Sequence, residues 1–116
     1  MKKVLIAGGG IAGLTSAIYL ERAGFEVDLV EITKEWAPVG AGIVLWPNCL
    51  KILGSLGLRA QTEAVGTAIE EMTVADENGK KISSLEFDKL FEKGLYAVSI
   101  ARADLHSILA GGLKKN

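Results

Sequence analysis

The 116-residue sequence has one cysteine, Cys49, and one histidine, His106. A single cysteine excludes an intramolecular disulfide, and a single histidine excludes a metal site built from several histidines. Paired carboxylates, nucleophile triads and metal-ligand clusters are not visible at useful spacings, so the sequence predicts no metal site and identifies no catalytic residue. Because no signal peptide is visible and disulfides are excluded, we expect a cytoplasmic protein.

The sequence also lacks an excess of positive charge and long apolar runs. Thirteen Lys and Arg against fourteen Asp and Glu give a formal net charge of -1, with no basic stripe. Binding to nucleic acid or to an anionic membrane therefore lacks electrostatic support. No apolar run reaches the roughly 18 residues that a transmembrane helix needs. With 49% hydrophobic and 23% charged residues, the composition is typical of one globular domain.

The segment from Met1 to Glu31 has the pattern of a strand, a helix and a second strand. Val4–Ala7 is a short apolar run next to glycine, typical of a strand buried on both faces of a parallel sheet. Apolar residues at helical spacing follow from Ile11 to about Ala23, and Gly24 ends the helix. Phe25–Glu31 alternates and is rich in β-forming residues. The sequence therefore predicts an α/β fold that begins with a Rossmann-like βαβ unit.

The rest of the sequence predicts an antiparallel β-hairpin, added to the βαβ unit, and several further elements. Asn78-Gly79 lies between two runs of strand-forming residues, Thr67–Ala75 and Lys81–Phe87, which is a strong hairpin signal. The other predicted elements are a loop at 32–42, a helix starting at Pro47-Asn48 with Asn48 as N-cap and ending at Gly57, a strand over Leu95–Ile100 and a helix over Arg102–Leu113.

Gly8, Gly10 and Gly13 match the dinucleotide-binding fingerprint G-x-G-x-x-G, with Ile11 and Ala12 between the last two glycines. The motif follows a predicted strand and opens a predicted helix, as its chemistry requires. Gly8 allows the tight turn, Gly10 lets a pyrophosphate approach the backbone, and Gly13 lets the helix pack against the strand. The N–H groups at the start of the helix then bind the phosphates.

Three further residues extend the fingerprint. Ala17 is small where the helix must lie against the sheet, and Gly24 lies at the turn into the second strand. Glu31 ends that strand, where an acidic residue binds the ribose hydroxyls of FAD or NAD, and its charge disfavours the 2′-phosphate of NADP. The alternative is that the glycines only shape a tight turn and that Glu31 is a solvated strand end. The combination of these features favours the cofactor site.

Two later segments decide between FAD and NAD. One is Gly-Ala-Gly-Ile-Val-Leu-Trp-Pro-Asn at residues 40–48, continued by Leu50, Leu53 and Leu56-Gly57-Leu58, and the other is Ala101-Arg102-Ala103-Asp104-Leu105. Together with the glycine motif, they resemble the single-component FAD-dependent aromatic hydroxylases, the group of para-hydroxybenzoate and salicylate hydroxylases. The resemblance spans nearly the whole chain, and Trp46-Pro47-Asn48 resembles the urate hydroxylase branch.

The resemblance implies an FAD-dependent monooxygenase. In such enzymes NAD(P)H reduces the flavin, and oxygen from O₂ is transferred to an aromatic or related small ring substrate. By resemblance, Glu31 binds the adenosine ribose, and Gly42, Ile43 and Val44 pass near the flavin. Arg102 binds the phosphate and ribitol region, for which a planar guanidinium is suited. The residues that the resemblance assigns to the pyrophosphate are Gly8, Gly10, Ile11, Ala12 and Gly13.

The sequence departs from the resembled family in two respects. Family members often have a basic residue directly after the ribose-binding acid, whereas Ile32 and Thr33 follow Glu31, and Lys34 is the nearest cation. Members are also far longer, so we expect a truncated chain whose 67–87 hairpin belongs to the substrate-side sheet. An incomplete sheet has an unpaired apolar edge, and the chain is therefore expected to self-associate.

Two other functions stay open on the sequence alone. The glycine fingerprint also fits another FAD- or NAD-dependent oxidoreductase, such as a reductase or an amine oxidase. The second alternative is a truncated binding or assembly module without turnover. We expect the isolated chain to be inactive, because most of the substrate-binding residues of the resembled family lie outside it.

Overall fold

The βαβ unit predicted for the start of the chain is present. Strand β1 (Lys3–Ala7) is followed by helix α1 (Ile11–Arg22) and strand β2 (Glu26–Val30). The two strands pair in parallel along their whole length. Because parallel strands end at the same edge of a sheet, the loop after β1 lies beside the residues that follow β2. The computed structural model describes residues 2–33, 40–90, 92 and 95–114.

Helix α1 packs on one face of this two-stranded sheet. Ile6 and Leu29 are half-buried on that face, and Leu29 packs against the hydrophobic core. On the opposite face, Leu5 is 68% exposed and Val30 is 52% exposed. The prediction that β1 is buried on both faces is therefore wrong in this structure, since α1 covers only the face that carries Ile6 and Leu29.

Beyond β2, the described chain forms five more strands and four more helices. In chain order they are β3 (Gly42–Leu45), α2 (Pro47–Ser55), α3 (Arg59–Val65), β4 (Thr67–Ile69), β5 (Glu71–Ala75), β6 (Lys81–Glu86), α4 (Phe87–Leu90), β7 (Ala97–Ala101) and α5 (Arg102–Gly111). β7 is the central strand of an antiparallel sheet with the order β3-β7-β4, and β5 pairs with β6. The predicted α/β class with an added hairpin is confirmed.

The run predicted as one strand over Thr67–Ala75 is divided at Glu70. Its first part, β4, pairs with β7, whereas β5 pairs with β6 and forms the predicted hairpin. At the tip, the Asp76 carboxylate accepts backbone N–H bonds from Asn78 and Lys80 at 3.0 and 2.8 Å, which holds the Asn-Gly turn. The second hairpin strand ends one residue early, because Phe87 begins α4 and is fully buried.

Helix α2 begins at Pro47, with Trp46 as its N-cap residue. The prediction that Asn48 is the N-cap is wrong, because proline fits the first helical position, where its fixed φ is already helical and no N–H is needed. Gly57 ends the helix region as predicted. Its φ is +73°, and the Leu58 N–H donates to the Leu53 carbonyl at 2.8 Å in a Schellman arrangement.

One hydrophobic core joins the βαβ unit to the second sheet. Its buried side chains come from α1, β3, α2, the turn after α2, β7 and α5, and they are Leu14, Ile18, Leu45, Leu50, Leu53, Leu56, Leu58, Val98, Ile100, Leu105 and Leu109. In the described ranges, no helix is long and apolar enough to cross a membrane. Residues 34–39 of the predicted loop at 32–42 lie outside the described residues.

Candidate cofactor site

The backbone of the glycine loop requires glycine at two of the three fingerprint positions. Gly8 has a φ of +115°, which side chains other than glycine rarely adopt. A Cβ atom on Gly13 would lie 1.9 Å from the Gly8 carbonyl oxygen, so only glycine lets α1 approach β1 this closely. A Cβ atom on Gly10 would meet nothing within 4 Å. Gly10 is therefore not needed for packing, and the space above it is open to a ligand.

The N-terminus of α1 has the features of an anion-binding site. Gly10 is the N-cap residue, no side chain caps the helix, and the first turn carries no acidic residue. Ile11 packs its side chain against the core and the exposed side chain of Ala12 is only a methyl group, so neither side chain offers a polar group to a ligand. N–H groups at a helix N-terminus and the helix dipole together favour a phosphate. The loop therefore fits the pyrophosphate of a dinucleotide.

Glu31 is held in place by the backbone on both sides of its carboxylate. Gly9 donates its N–H to Oε1 at 3.0 Å, and Thr33 donates its N–H to Oε2 at 2.8 Å. The Gly9 bond and then the Thr33 bonds lower the pKa of the Glu31 carboxyl to about 2, so it is ionised at neutral pH. A carboxylate has about four lone-pair sites, which leaves acceptors for ribose hydroxyls. This geometry favours the cofactor site over a solvated strand end.

A groove of about 910 Å³ opens beside Glu31. Its lining includes Leu29 from β2, Thr33 from the chain after β2 and Leu113 from the chain after α5, together with the acidic residues Glu21 and Asp28. A groove that is mostly apolar and that lies next to an anchored carboxylate has the character of a nucleoside site.

The residues predicted near the flavin are brought together by strand pairing. Gly42, Ile43 and Val44 lie in β3 and pair with the last three residues of β7, and Arg102 follows directly as the first residue of α5. A Cβ atom on Gly40 would lie 2.7 Å from Arg102 Cδ, so glycine there lets the arginine lie across the loop. Among the described residues, the Arg102 guanidinium has no hydrogen bond or ion pair.

The side chains of β3 have less room for a ligand than the sequence suggests. Ile43 and Val44 are half-buried, and Ile43 packs against the hydrophobic core. A Cβ atom on Gly42 would make only an ordinary 3.5 Å contact with the Ile100 carbonyl oxygen. Gly42 is therefore not required by packing, and β3 offers a ligand mainly its backbone and its exposed end.

His106 contacts the glycine loop from the helix that also carries Arg102, and it was not among the residues predicted for the site. Its ring is buried, 5% exposed, and Nε2 lies 2.7 Å from the Gly9 carbonyl oxygen. Because a carbonyl only accepts, Nε2 carries the proton. The sequence feature that could have indicated His106 is its position four residues after Arg102, which places both residues on the same side of α5. In the described part of the chain, no group of three or more metal-ligating residues is present.

Comparison with known proteins identifies the family. A family model described as "FAD binding domain" matches residues 1–115. The chain belongs to this FAD-binding family. FAD is therefore the cofactor of the domain, and the resemblance to the FAD-dependent aromatic hydroxylases is confirmed.

Similar sequences and structures agree with the family assignment. The chain is 33% identical over 105 residues to FAD-dependent urate hydroxylase from Klebsiella pneumoniae, covering 89% of this chain and 27% of that protein. It is 34% identical over 116 residues to 3-hydroxybenzoate 6-hydroxylase from Polaromonas naphthalenivorans, covering 97% and 29%. The tetrameric form of 2-methyl-3-hydroxypyridine-5-carboxylic acid oxygenase matches with a TM-score of 0.85 and 32% identity, over 97% of this chain and 29% of that one. The chain thus spans less than a third of the length of these relatives.

Proposed function

We propose that this chain holds FAD in a flavin-dependent monooxygenase that hydroxylates an aromatic or related small ring compound with NAD(P)H and O₂. The observation that carries the proposal is the uncapped N-terminus of α1 at the open Gly10 position, with the ionised Glu31 fixed beside it. The relatives support the reaction class, because their names describe the oxygenation of ring compounds. Since this chain spans less than a third of them, hydroxylation is assigned to a longer protein and FAD binding to this chain.

We assign the pyrophosphate to the start of α1. The backbone N–H groups of Ile11, Ala12 and Gly13 supply the donors, and the missing side chain of Gly10 leaves room for the phosphates. Gly8 and Gly13 keep the loop tight against the helix. The free acceptor sites of the Glu31 carboxylate receive the ribose hydroxyls, and the groove beside it gives space for the adenosine.

We assign the flavin side of the cofactor to β3 and to the start of α5. Gly42, Ile43 and Val44 offer backbone groups there, and the Arg102 guanidinium is available to the phosphate and ribitol region. When bound, FAD supplies the electron transfer and the oxygen chemistry, and the residues of this chain bind and orient it. No catalytic residue is assigned within the described part of the chain.

We also propose that the isolated chain associates with copies of itself through the open face of the β1–β2 sheet. Leu5 and Val30 are exposed on that face, and parallel sheets are ordinarily covered on both faces. One relative of known structure is named as a tetramer. We further propose that the whole protein is cytoplasmic and that its substrate is a small ring compound.

The test is a titration of the purified chain with FAD, followed by flavin absorbance and fluorescence. We expect saturable binding by the wild type and at least about tenfold weaker binding by Gly10→Val, a difference of about 1.4 kcal/mol. The matched control is Gly54→Val, because a Cβ atom at Gly54 makes only an ordinary 3.8 Å contact with the flexible Arg59 side chain and Gly54 does not line the groove beside Glu31. Circular dichroism checks that both variants are folded.

Two outcomes contradict the proposal. If a folded wild-type chain shows no saturable binding, this chain does not hold FAD by itself. If Gly10→Val and Gly54→Val bind FAD equally well, the pyrophosphate does not lie at the start of α1.

A further inference from the structure

A buried hydrogen bond connects α5 to the glycine loop, which lies near the other end of the sequence. His106 Nε2 donates to the Gly9 carbonyl oxygen at 2.7 Å, and both residues are buried. The donor His106 lies on α5 one helical turn after Arg102. Four residues correspond to about 6 Å along a helix axis, so α5 brings both side chains to the cofactor site.

The bond completes a set of three that fix consecutive peptide groups of the loop. The Gly8 N–H donates to the Val30 carbonyl at 2.7 Å, and the Gly9 N–H donates to Glu31 at 3.0 Å. The next peptide group, between Gly9 and Gly10, is held by His106 through the Gly9 carbonyl. Glycine adopts both signs of φ at little cost, so a peptide between two glycines turns over easily unless it is held.

The orientation of that third peptide matters for an anion. In a trans peptide the C=O and the following N–H point in opposite directions. With the Gly9 carbonyl directed at His106, the Gly10 N–H points away from His106, and Gly10 is the N-cap residue of α1, which no side chain caps. If the peptide turned over, a carbonyl oxygen would replace that N–H, and its partial negative charge would repel a phosphate.

We propose that His106 is a positioning residue of the cofactor loop: its Nε2–H holds the Gly9–Gly10 peptide in the orientation that accepts the pyrophosphate. This inference rests on the proposed function, because it concerns the same FAD site. It adds a second contact from α5 to that site, and it explains why a polar side chain lies buried between α5 and the loop. The imidazole contacts the loop backbone, so its effect on the cofactor is indirect.

The test compares His106→Leu, which has no donor, with His106→Gln, whose amide N–H replaces the ring N–H. We expect His106→Leu to weaken the binding of FAD and of ADP about tenfold, and His106→Gln to restore both to within about threefold of the wild type. The binding of adenosine, which has no phosphate, is expected to change less than twofold in either variant. A change in the backbone ¹⁵N–¹H resonance of Gly10 in the ligand-free His106→Leu chain, reversed in His106→Gln, reports the peptide orientation directly.

The outcomes separate this inference from the proposed function. A wild-type chain that binds FAD, together with a His106→Leu variant that binds FAD and ADP equally well, overturns the inference alone. Equal losses for ADP and adenosine also overturn it, because they indicate a general structural effect. A folded wild-type chain that binds no FAD overturns both.

A second pair of variants applies if His106→Leu does not fold. His106→Gln and His106→Asn carry the same amide, but the asparagine side chain is one methylene shorter and does not reach Gly9. We expect His106→Gln to bind ADP several-fold more tightly than His106→Asn. Equal affinities would contradict the inference.

Discussion

Replacing Gly13 with alanine tests how strictly the fold requires the last glycine of the fingerprint. The added Cβ atom would lie 1.9 Å from the Gly8 carbonyl oxygen, 3.0 Å from the Gly8 carbonyl carbon and 3.5 Å from Ile6 Cγ2. The first two atoms belong to the backbone of the loop and have no rotamer to move into. Helix and loop must therefore separate before the oxygen contact becomes an ordinary one.

The size of the effect follows from what α1 buries. Leu14, Ala17 and Ile18 on this helix are at most 1% exposed, so moving the helix opens the core as well as the loop. Overpacking a well-packed site costs roughly 1–3 kcal/mol and occasionally more. Alanine gains up to about 1 kcal/mol over glycine inside a helix, which offsets part of this cost. Because the clash is with backbone, we expect Gly13→Ala to lower the free energy of unfolding by about 3 kcal/mol, at the upper end of the overpacking range.

Gly54→Ala is the matched control. Gly54 also lies inside a helix, α2, but its Cβ atom would make an ordinary 3.8 Å contact with the flexible Arg59 side chain. We expect this variant to be more stable than the wild type by about 0.5–1 kcal/mol, from helix propensity alone. Urea denaturation, followed by circular dichroism, measures both. If Gly13→Ala is as stable as the wild type, the close approach of α1 and β1 is not a constraint of this fold.

Two further predictions concern charge and association. The pKa of the Glu31 carboxyl is about 2 in the folded chain, against an ordinary value of 4.5. The ionised carboxylate therefore stabilises the fold fully above pH 4.5, and this contribution is lost as the pH falls towards 2. The difference in unfolding midpoint between the wild type and Glu31→Gln should shrink as the pH falls from 4.5 towards 2. A difference that stays constant would show that the pKa of Glu31 is not lowered in the fold. For association, light scattering of the wild type should give a mass above the 12.3 kDa monomer. Leu5→Lys should lower this mass, because Leu5 is on the open face of the β1–β2 sheet. A monomeric wild type would contradict the prediction.

The parts of the fold that the sequence predicted well depend on local chemistry. The βαβ unit is formed by adjacent segments at the start of the chain, and its glycines, apolar periodicity and terminal acid all indicate the same structure. The hairpin tip is similarly local, because Asp76, Asn78 and Gly79 determine the turn by themselves. The glycine loop and Glu31 were both predicted, and the structure joins them through the Gly9 N–H.

The elements that the sequence did not predict depend on distant partners. β3 is short and begins with glycine, and it is a strand because it pairs with β7, which lies near the other end of the chain. The division at Glu70 likewise reflects the pairing of β4 with β7. Helix α3 has no apolar stripe, since its one buried residue is Thr62, whose hydroxyl donates to the Leu58 carbonyl.

The cofactor site shows the same division between local and distant determinants. The fingerprint indicates where a dinucleotide binds, but the orientation of its central peptide groups is set by residues outside it. Gly9 receives one contact from Glu31, at the end of β2, and another from His106, on the last helix of the chain. His106 reaches the loop only because the core holds α5 against α1, through side chains such as Leu105 and Leu14. If His106 holds the Gly9–Gly10 peptide as proposed, the packing of α5 against α1 determines the shape of the cofactor loop together with the glycines.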